Sequence, residues 1–281
     1  LAFYMDDIYK LKPYFHLKFG LRYDRSDLFE KSALNPRVSV WYKLSEKIAA
    51  EGFWGMCTQN PNGLSSFLRS QAINMSYDFE SLEPEKSTHL TGGIHYQFSE
   101  NIESKIDFYH RKLTDLLLPE DSESKNALNI GNGYSRGVEW YLHKIPGEND
   151  WFSGIISYSY GVTKFQDARV RRWQPMSFDR RHSFSAMCNV KLSENLSANI
   201  LWRVTSGLPH ISSYGVLLTQ DSSPYEFLKG EGPLDYFPPY HRFDVRLNYE
   251  HRSGARAFTM YFDITNIYNN KNVYEKVSHI K

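Results

Sequence analysis

The sequence predicts an all-β protein, an antiparallel transmembrane β-barrel wall of about twelve strands, and three observations carry that expectation. Segments of about ten residues are apolar at every second position, which is the period of a strand. Their connections alternate between tight polar turns and long stretches. Aromatic residues make up 16% of the chain, with 20 Tyr and 18 Phe, a usage that favours strands and membrane interfaces. A soluble sandwich has no reason to keep its long loops on one side. Transmembrane barrels do, with short periplasmic turns and long extracellular loops.

The alternation sets the elements in order. Strands are expected at 1–9 and 14–24; in the second, Phe15, Leu17, Phe19, Leu21 and Tyr23 oppose His16, Lys18, Gly20, Arg22 and Asp24. The pair 36–44 and 47–57 turns at Ser45-Glu46-Lys47, and the pair 89–98 and 102–115 at Ser99-Glu100-Asn101. Next come 134–144 with 151–163, then 181–192 with 195–205 around Ser193-Glu194-Asn195. In the last hairpin, 240–250 with 256–267, Phe243, Val245, Leu247 and Tyr249 oppose Asp244, Arg246, Asn248 and Glu250. Its second arm sets Phe258, Met260, Phe262 and Ile264 against Thr259, Tyr261, Asp263 and Thr265. Long connections are expected at 58–87, 116–133, 164–180 and 206–239. No linker interrupts the pattern, so residues 1–281 read as one architectural unit.

Chemistry decides which face meets lipid. The polar set carries Arg22, Asp24, Glu51, Arg203, Asp244, Arg246 and Asp263, and an Arg or Lys at mid-bilayer costs roughly 2–4 kcal/mol. Those side chains are expected to point into a lumen. With the tight turns periplasmic, Tyr23, Trp54, Tyr160 and Trp202 fall toward the outer ends of their strands, and Phe15, Tyr42, Phe98 and Tyr249 toward the inner ends. These are two aromatic belts. The alternative fold is a soluble antiparallel protein with one buried face, which alternates as well.

Composition narrows the function. A net charge of +1 gives no basic patch for nucleic acid. Mean hydropathy is −0.54, without a run near the roughly 18 apolar residues of a membrane helix; a barrel hides its apolar surface in alternation. Cys57 and Cys188 fall on non-adjacent strands, so no disulfide is expected. His16, His95 and His143 sit on separate strands without metal-ligand spacing, and read as lumen polar residues; no metal and no cofactor are expected. The opening at Leu1 in mid-strand and the unfinished segment 272–281 read as the ends of a fragment.

Several local sequences resemble a known family. Phe3-Tyr4-Met5-Asp6-Asp7, with Phe19-Gly20-Leu21-Arg22-Tyr23-Asp24, resembles a hairpin in the barrel of TonB-dependent outer-membrane receptors, and Asn35-Pro36-Arg37-Val38 resembles the start of the following strand. Phe178-Asp179-Arg180-Arg181-His182 and Ser206-Gly207-Leu208-Pro209 are similar to a pair common there. Tyr240-His241-Arg242-Phe243-Asp244-Val245-Arg246 and Asp263-Ile264-Thr265-Asn266-Ile267-Tyr268-Asn269 resemble two of its late strands. The motifs span nearly the whole chain in the family's order. The resemblance implies the C-terminal part of a barrel of about 22 strands with a plugged lumen, the plug domain, coupling box and closing strand lying outside residues 1–281.

By that resemblance the protein is an outer-membrane importer of a scarce nutrient, a ferric siderophore first among them, and not an enzyme. Its partners are the TonB energy-transducing complex acting through the plug, the small-molecule cargo and outer-membrane lipids. The cargo mouth is expected to draw on Phe67, Arg69, Tyr77, Phe79, Tyr214, Tyr225, Phe227, Tyr236 and Phe237, aromatics with an Arg suited to a planar or macrocyclic ligand; the competing reading is that these rings pack the loops together. Arg181, His182, Arg242 and Asp244 are expected to anchor strand starts and lumen ion pairs, Asp179 and Asn266 to open turns, and Gly20, Gly92, Gly93 and Gly137 to mark curvature or close approach to the plug. Two other classes remain open at this point. A lipase- or protease-type barrel would use pairs such as Ser183 with His182 or Ser206 with His210, although no Gly-x-Ser-x-Gly elbow is present. A sensor or partner-bound porin is the other.

Overall fold

The structure is a computed structural model, and it describes residues 1–26, 30–59, 82–119, 127–147, 150–211, 234–254 and 256–273. The expected twelve long strands are all present. They are β1 (Ala2–Lys12), β2 (Phe15–Ser26), β3 (Lys31–Lys43), β4 (Ile48–Gln59), β5 (Glu85–Ser99), β6 (Ile102–Pro119), β7 (Ala127–Lys144) and β8 (Phe152–Asp167), then β10 (His182–Lys191), β11 (Leu196–Thr205), β14 (Tyr240–Ser253) and β15 (Arg256–Ile264). Three short strands were not expected: β9 (Trp173–Pro175), β12 (Pro209–Ile211) and β13 (Leu234–Tyr236). The long strands form one sheet in chain order, β1 to β8 and then β10-β11-β14-β15, every pair antiparallel. Tight turns make the two arms of each hairpin neighbours, and the long connections also lead to the adjacent strand, which completes the up-and-down order. The sheet is not closed; β1 and β15 are its edges.

The tight turns have a chemical cause. After β3 the Ser45 hydroxyl accepts the Ile48 N–H at 3.1 Å, and after β10 the Ser193 hydroxyl accepts the Leu196 N–H at the same distance. The shared Ser-Glu opening thus folds the same way twice, the serine replacing a backbone turn bond. At the third copy the strands meet through a register shift between Gln97 and Ser99, with the Gln97 side chain bonded to the Ser99 carbonyl at 2.6 Å.

Strands run beyond their expected limits on the opposite side. β6 and β7 have 18 residues each, where a tilted membrane strand needs about 9–11. The expected loop 116–133 is therefore strand at 116–119 and 127–133. Alternation missed this extension because Leu116, Leu117 and Leu118 are consecutive and all buried, around register shifts in the β6–β7 ladder. Leu116 and Leu118 pack with Phe165 and Met176, flanked by Leu113 and Ile130. This cluster crowns the wall; below it, many apolar side chains face outward and exposed, Leu90, Phe108, Trp202 and Phe262 among them.

Register confirms the division of faces. Leu21 stands opposite Met5, Trp54 opposite Val38, and Leu247 opposite Phe262. The outer belt shows an edge-on pair, Phe184 with Trp202, and the inner belt shows Phe15 with Tyr42 and Tyr96 with Phe98. One acid breaks the pattern: Asp7 shares the outward face with Phe19, at a cost smaller for Asp than for Arg.

Candidate functional site

The inward face is a ladder of paired charges. Arg37 on β3 reaches past Gly20 on β2 to Asp6 on β1, with Nη2 at 2.8 and 3.0 Å from the two carboxylate oxygens. A Cβ at Gly20 would lie 2.3 Å from Asp6 Oδ1 and 2.4 Å from Arg37 Nε, so the glycine makes room for the ion pair. Lys105 on β6 joins Glu51 on β4 at 2.5 Å and Asp107 at 3.1 Å. Glu103 holds His95 at 3.1 Å and His143 at 3.2 Å, while His16 stacks on Trp41 with ring centroids 5.1 Å apart. Arg242 pairs with Asp244 at 2.8 Å, and Arg246 with Asp263 at 2.5 Å. These groups are only partly buried, so each pair is worth about 0–1 kcal/mol. Their larger effect is positional, since charges held on this face stay out of lipid.

The family-like motifs serve the wall as expected. Asp179, 1% exposed, accepts the Thr163 N–H at 2.6 Å and the Arg181 Nε–H at 2.7 Å, while its own N–H closes a turn on the Met176 carbonyl at 2.9 Å. Asn266 takes a left-handed backbone with φ 54°, and its N–H donates to Asp244 Oδ1 at 2.8 Å. His182 is different. It faces outward against Tyr158 and Tyr160, within 2.8 Å of the Tyr158 hydroxyl, and belongs to the outer belt rather than to a lumen ion pair. Gly20 and Gly93 open the wall to its own ion-pair residues, Gly93 lying beside Asp107. Gly92 has only an ordinary contact, with the Glu51 carbonyl 4.0 Å from a Cβ built there.

A cavity of about 350 Å³ opens at the outer end of the inward face. Cys57 on β4, Glu85, Ser87 and His89 on β5, and Arg111 and Leu113 on β6 form its wall. Met176, Ser177 and Phe178 roof it. The roof is placed by β9, which folds back on β8 with Gln174 opposite Phe165, and by the Asp179 bonds. Glu85 lies beyond the bilayer span; its burial raises its pKa, against the lowering effect of the Leu117 N–H that it accepts at 2.9 Å. The Ser87 hydroxyl is buried with no hydrogen-bond partner among the described residues. On the opposite rim, in the β7–β8 turn, Asp150 is held below the usual carboxylate range by the Lys144 ammonium and then the Gly147 N–H. The cavity combines a guanidinium, a carboxyl, an imidazole and apolar walls, which suits a small anionic or polar ring system.

Of the nine expected mouth residues, Phe67, Arg69, Tyr77, Phe79, Tyr214, Tyr225 and Phe227 lie outside the described residues. Tyr236 and Phe237 lie at the end of a ribbon in which β12 pairs with β13, Pro209 opposite Tyr236. The Phe237 ring stacks on His210 at 4.3 Å and its N–H donates to the Leu208 carbonyl at 2.9 Å. The cavity residues went unnamed in the sequence. Alternation does set His89 and Arg111 inward, but Ser87 fell in the expected loop 58–87, and nothing local marks the roof that makes a cavity of them.

Comparisons with known proteins agree with this architecture. The family model described as "TonB dependent receptor-like, beta-barrel" matches residues 1–267. A search of curated protein sequences gives no match. Among solved structures, the outer membrane transporter YddB from Escherichia coli superposes with a TM-score of 0.72 at 14% identity, covering 96% of this chain and 41% of that one. A mutant of the ferric enterobactin receptor PfeA from Pseudomonas aeruginosa gives 0.70 at 12% identity, with 96% and 39% covered. The FrpB iron transporter from Neisseria meningitidis gives 0.69 at 15%, with 96% and 41% covered. The chain thus spans about two fifths of the length of these structures. With its up-and-down wall, its charges turned inward and the family model matched over almost its whole length, the chain belongs to the TonB-dependent receptor β-barrel family of the Gram-negative outer membrane.

Proposed function

We propose that the full-length protein imports a scarce nutrient across the outer membrane, a ferric siderophore, with energy supplied by the TonB complex through a plug that fills the barrel. The observation that carries this reading is the roofed cavity at the outer end of the inward face, with Arg111 facing it. A guanidinium beside apolar walls favours an anionic, ring-bearing cargo. The names of the structural neighbours point the same way: a ferric enterobactin receptor, a ferric-catecholate import receptor and an iron transporter. Tyr236 and Phe237, with Phe67, Arg69, Tyr77, Phe79, Tyr214, Tyr225 and Phe227, are proposed to complete the mouth. The reading requires no bond to be made or broken, and the wall acts by shape and charge.

The test is uptake of radio-iron by a strain lacking the gene, supplied with ferric catecholate or hydroxamate siderophores under iron limitation. The full-length gene should restore uptake of one class, and loss of the inner-membrane energy complex should abolish it. Unchanged uptake of every ferric siderophore on deletion would overturn the iron assignment. Restored uptake that persists without the energy complex would overturn the energised mechanism.

A further inference from the structure

The outward face differs from the inward one in what its charges do. Most inward charges are paired, as in Asp6 with Arg37, Glu51 with Lys105 and Asp263 with Arg246, and those without an ion pair among the described residues, such as Arg111 and Arg203, face the lumen rather than lipid. Most of the outward face is apolar, as acyl chains require. At the outer ends of β6, β7 and β8, however, that face turns basic. Lys112 stands opposite Tyr134, His110 opposite Arg136, and Tyr134 opposite Lys164. All five share the outward side with Leu90 and Val138, because His110 faces Leu90 and Phe108 faces Val138 across the ladders. Among the described residues, Lys112, Arg136 and Lys164 make no ion pair; nearby Lys86 is occupied by Asp115 at 2.9 Å.

Height places the patch. Lys112 lies ten residues above Ile102, the periplasmic start of β6. At about 3.3 Å per residue and a tilt near 40°, that is roughly 25 Å, the top of the apolar band. The cations therefore stand where lipid headgroups begin. Aromatic rings mark the same level: Tyr134 meets the Trp173 ring with centroids 5.0 Å apart, and the Arg136 guanidinium lies 5.2 Å from the centre of the Tyr134 ring. At the corresponding height β10 offers His182, already engaged with Tyr158, and β11 offers Val204. On the other side β5 carries Lys86, held by Asp115, and β2 carries Arg25 farther along the wall, so the three cations without an ion pair stand together on β6–β8.

We propose that the outward face of β6–β8 at this level is a docking surface for the phosphorylated headgroup of an outer-leaflet lipid. Unpaired cations clustered at a bilayer surface bind anionic headgroups, each Lys or Arg adding to the attraction. Phosphate is the chemistry that a guanidinium flanked by two ammonium groups recognises best. Tyr134 and Trp173 supply the interfacial seat for the sugar or acyl portion. The same cations facing only acyl chains would be a standing cost, and an anionic headgroup converts that cost into binding.

The experiment uses the full-length protein, purified in detergent and stripped of lipid, and measures retention of bis-phosphorylated lipid A, of the same lipid dephosphorylated, and of inorganic phosphate. Wild type should retain the bis-phosphorylated lipid. The triple variant Lys112→Ala, Arg136→Ala, Lys164→Ala should bind it about thirtyfold more weakly. A variant with Lys43→Ala and Lys191→Ala, two lysines at the periplasmic ends of β3 and β10, should bind as wild type does. Heat-modifiable migration in gels checks that each variant is folded, and the single Lys112→Gln, at an exposed site, serves if the triple does not fold; its retention should fall about threefold. Equal retention by wild type and by the folded variant would overturn the proposal, as would equal retention of the dephosphorylated lipid. Displacement of lipid A by inorganic phosphate at equal phosphate concentration would assign the patch to free anions instead of lipid. A variant that retains lipid A but loses a copurifying protein or a second copy would make it a protein interface.

Discussion

The Asp6 carboxylate and the Arg37 guanidinium are joined across an intervening strand, over the one position on it that has no side chain. Arg37 donates to both oxygens, and Gly20 lies between. Backbone geometry alone does not require a glycine there, because a β2 residue could carry any side chain inward. The ion pair requires it.

Gly20→Val should therefore act as an overpacking substitution. It would separate Asp6 from Arg37 and leave both charges on the inward face without a partner. The folded fraction of the full-length protein should drop roughly tenfold near its unfolding midpoint, measured by heat-modifiable migration across a temperature series. Asp6→Asn together with Gly20→Val should recover little, since the clash with Arg37 remains.

The two faces should differ in tolerance. Leu21→Arg or Leu247→Arg sets a cation in the acyl region, at a cost of roughly 2–4 kcal/mol near mid-bilayer. Membrane-assembled protein should fall sharply. Arg246→Leu removes an inward partner of Asp263 at a cost of about 1 kcal/mol or less, and assembly should persist. Equal tolerance at the two faces would refute the assignment.

Glu85 gives a pH signature. Its folded pKa is raised by burial, above the ordinary value of about 4.3. The folded state therefore binds the proton more tightly than the unfolded state does. Stability is greatest below that ordinary value, and part of it is lost as pH rises through the raised one. Glu85→Gln keeps an acceptor for the Leu117 N–H and removes the titration. The variant should match wild type near pH 4 and melt slightly higher at pH 7, in thermal denaturation of the detergent-solubilised protein.

The two thiols should report on the two faces. Cys57 lines the outer cavity and is exposed; Cys188 faces outward, opposite Gly154 and Ile200, near the periplasmic end of β10. A charged, membrane-impermeant maleimide should label Cys57 in intact cells. A lipid-soluble maleimide should be needed for Cys188. Measured on single-cysteine variants, the reverse pattern would invert the wall.

Most of the wall was legible because every hairpin shows period-two alternation, and two of them also carry a serine turn that Ser45 and Ser193 build alike. Charge sorting was legible for the same reason, since Arg22, Glu51 and Asp263 share parity with the polar set. The outer elaboration was not. Leu116–Leu118 break the period where burial comes from Phe165 on β8 and Met176 beyond β9, and Trp173–Pro175 is a strand because β8 offers an edge above the membrane. The cavity has the same origin. Its wall residues have inward parity, but its closure depends on Asp179 binding Thr163, a contact between residues 16 apart in sequence. Tyr236 and Phe237 were singled out as aromatics for a ligand, whereas their visible partners are His210 and the backbone of 208–209.

The length of β6 and β7 has a consequence for how the cell surface is seen from outside. Their hydrogen-bonded ladder continues several residues past the bilayer and is braced by its own apolar cluster. An antibody or a phage tail fibre approaching there meets a stiff, shaped ridge. Recognition of that ridge should be conformational, strong on living cells and lost on a denatured blot, and an escape mutant would have to change an exposed side chain without loosening the leucines beneath it.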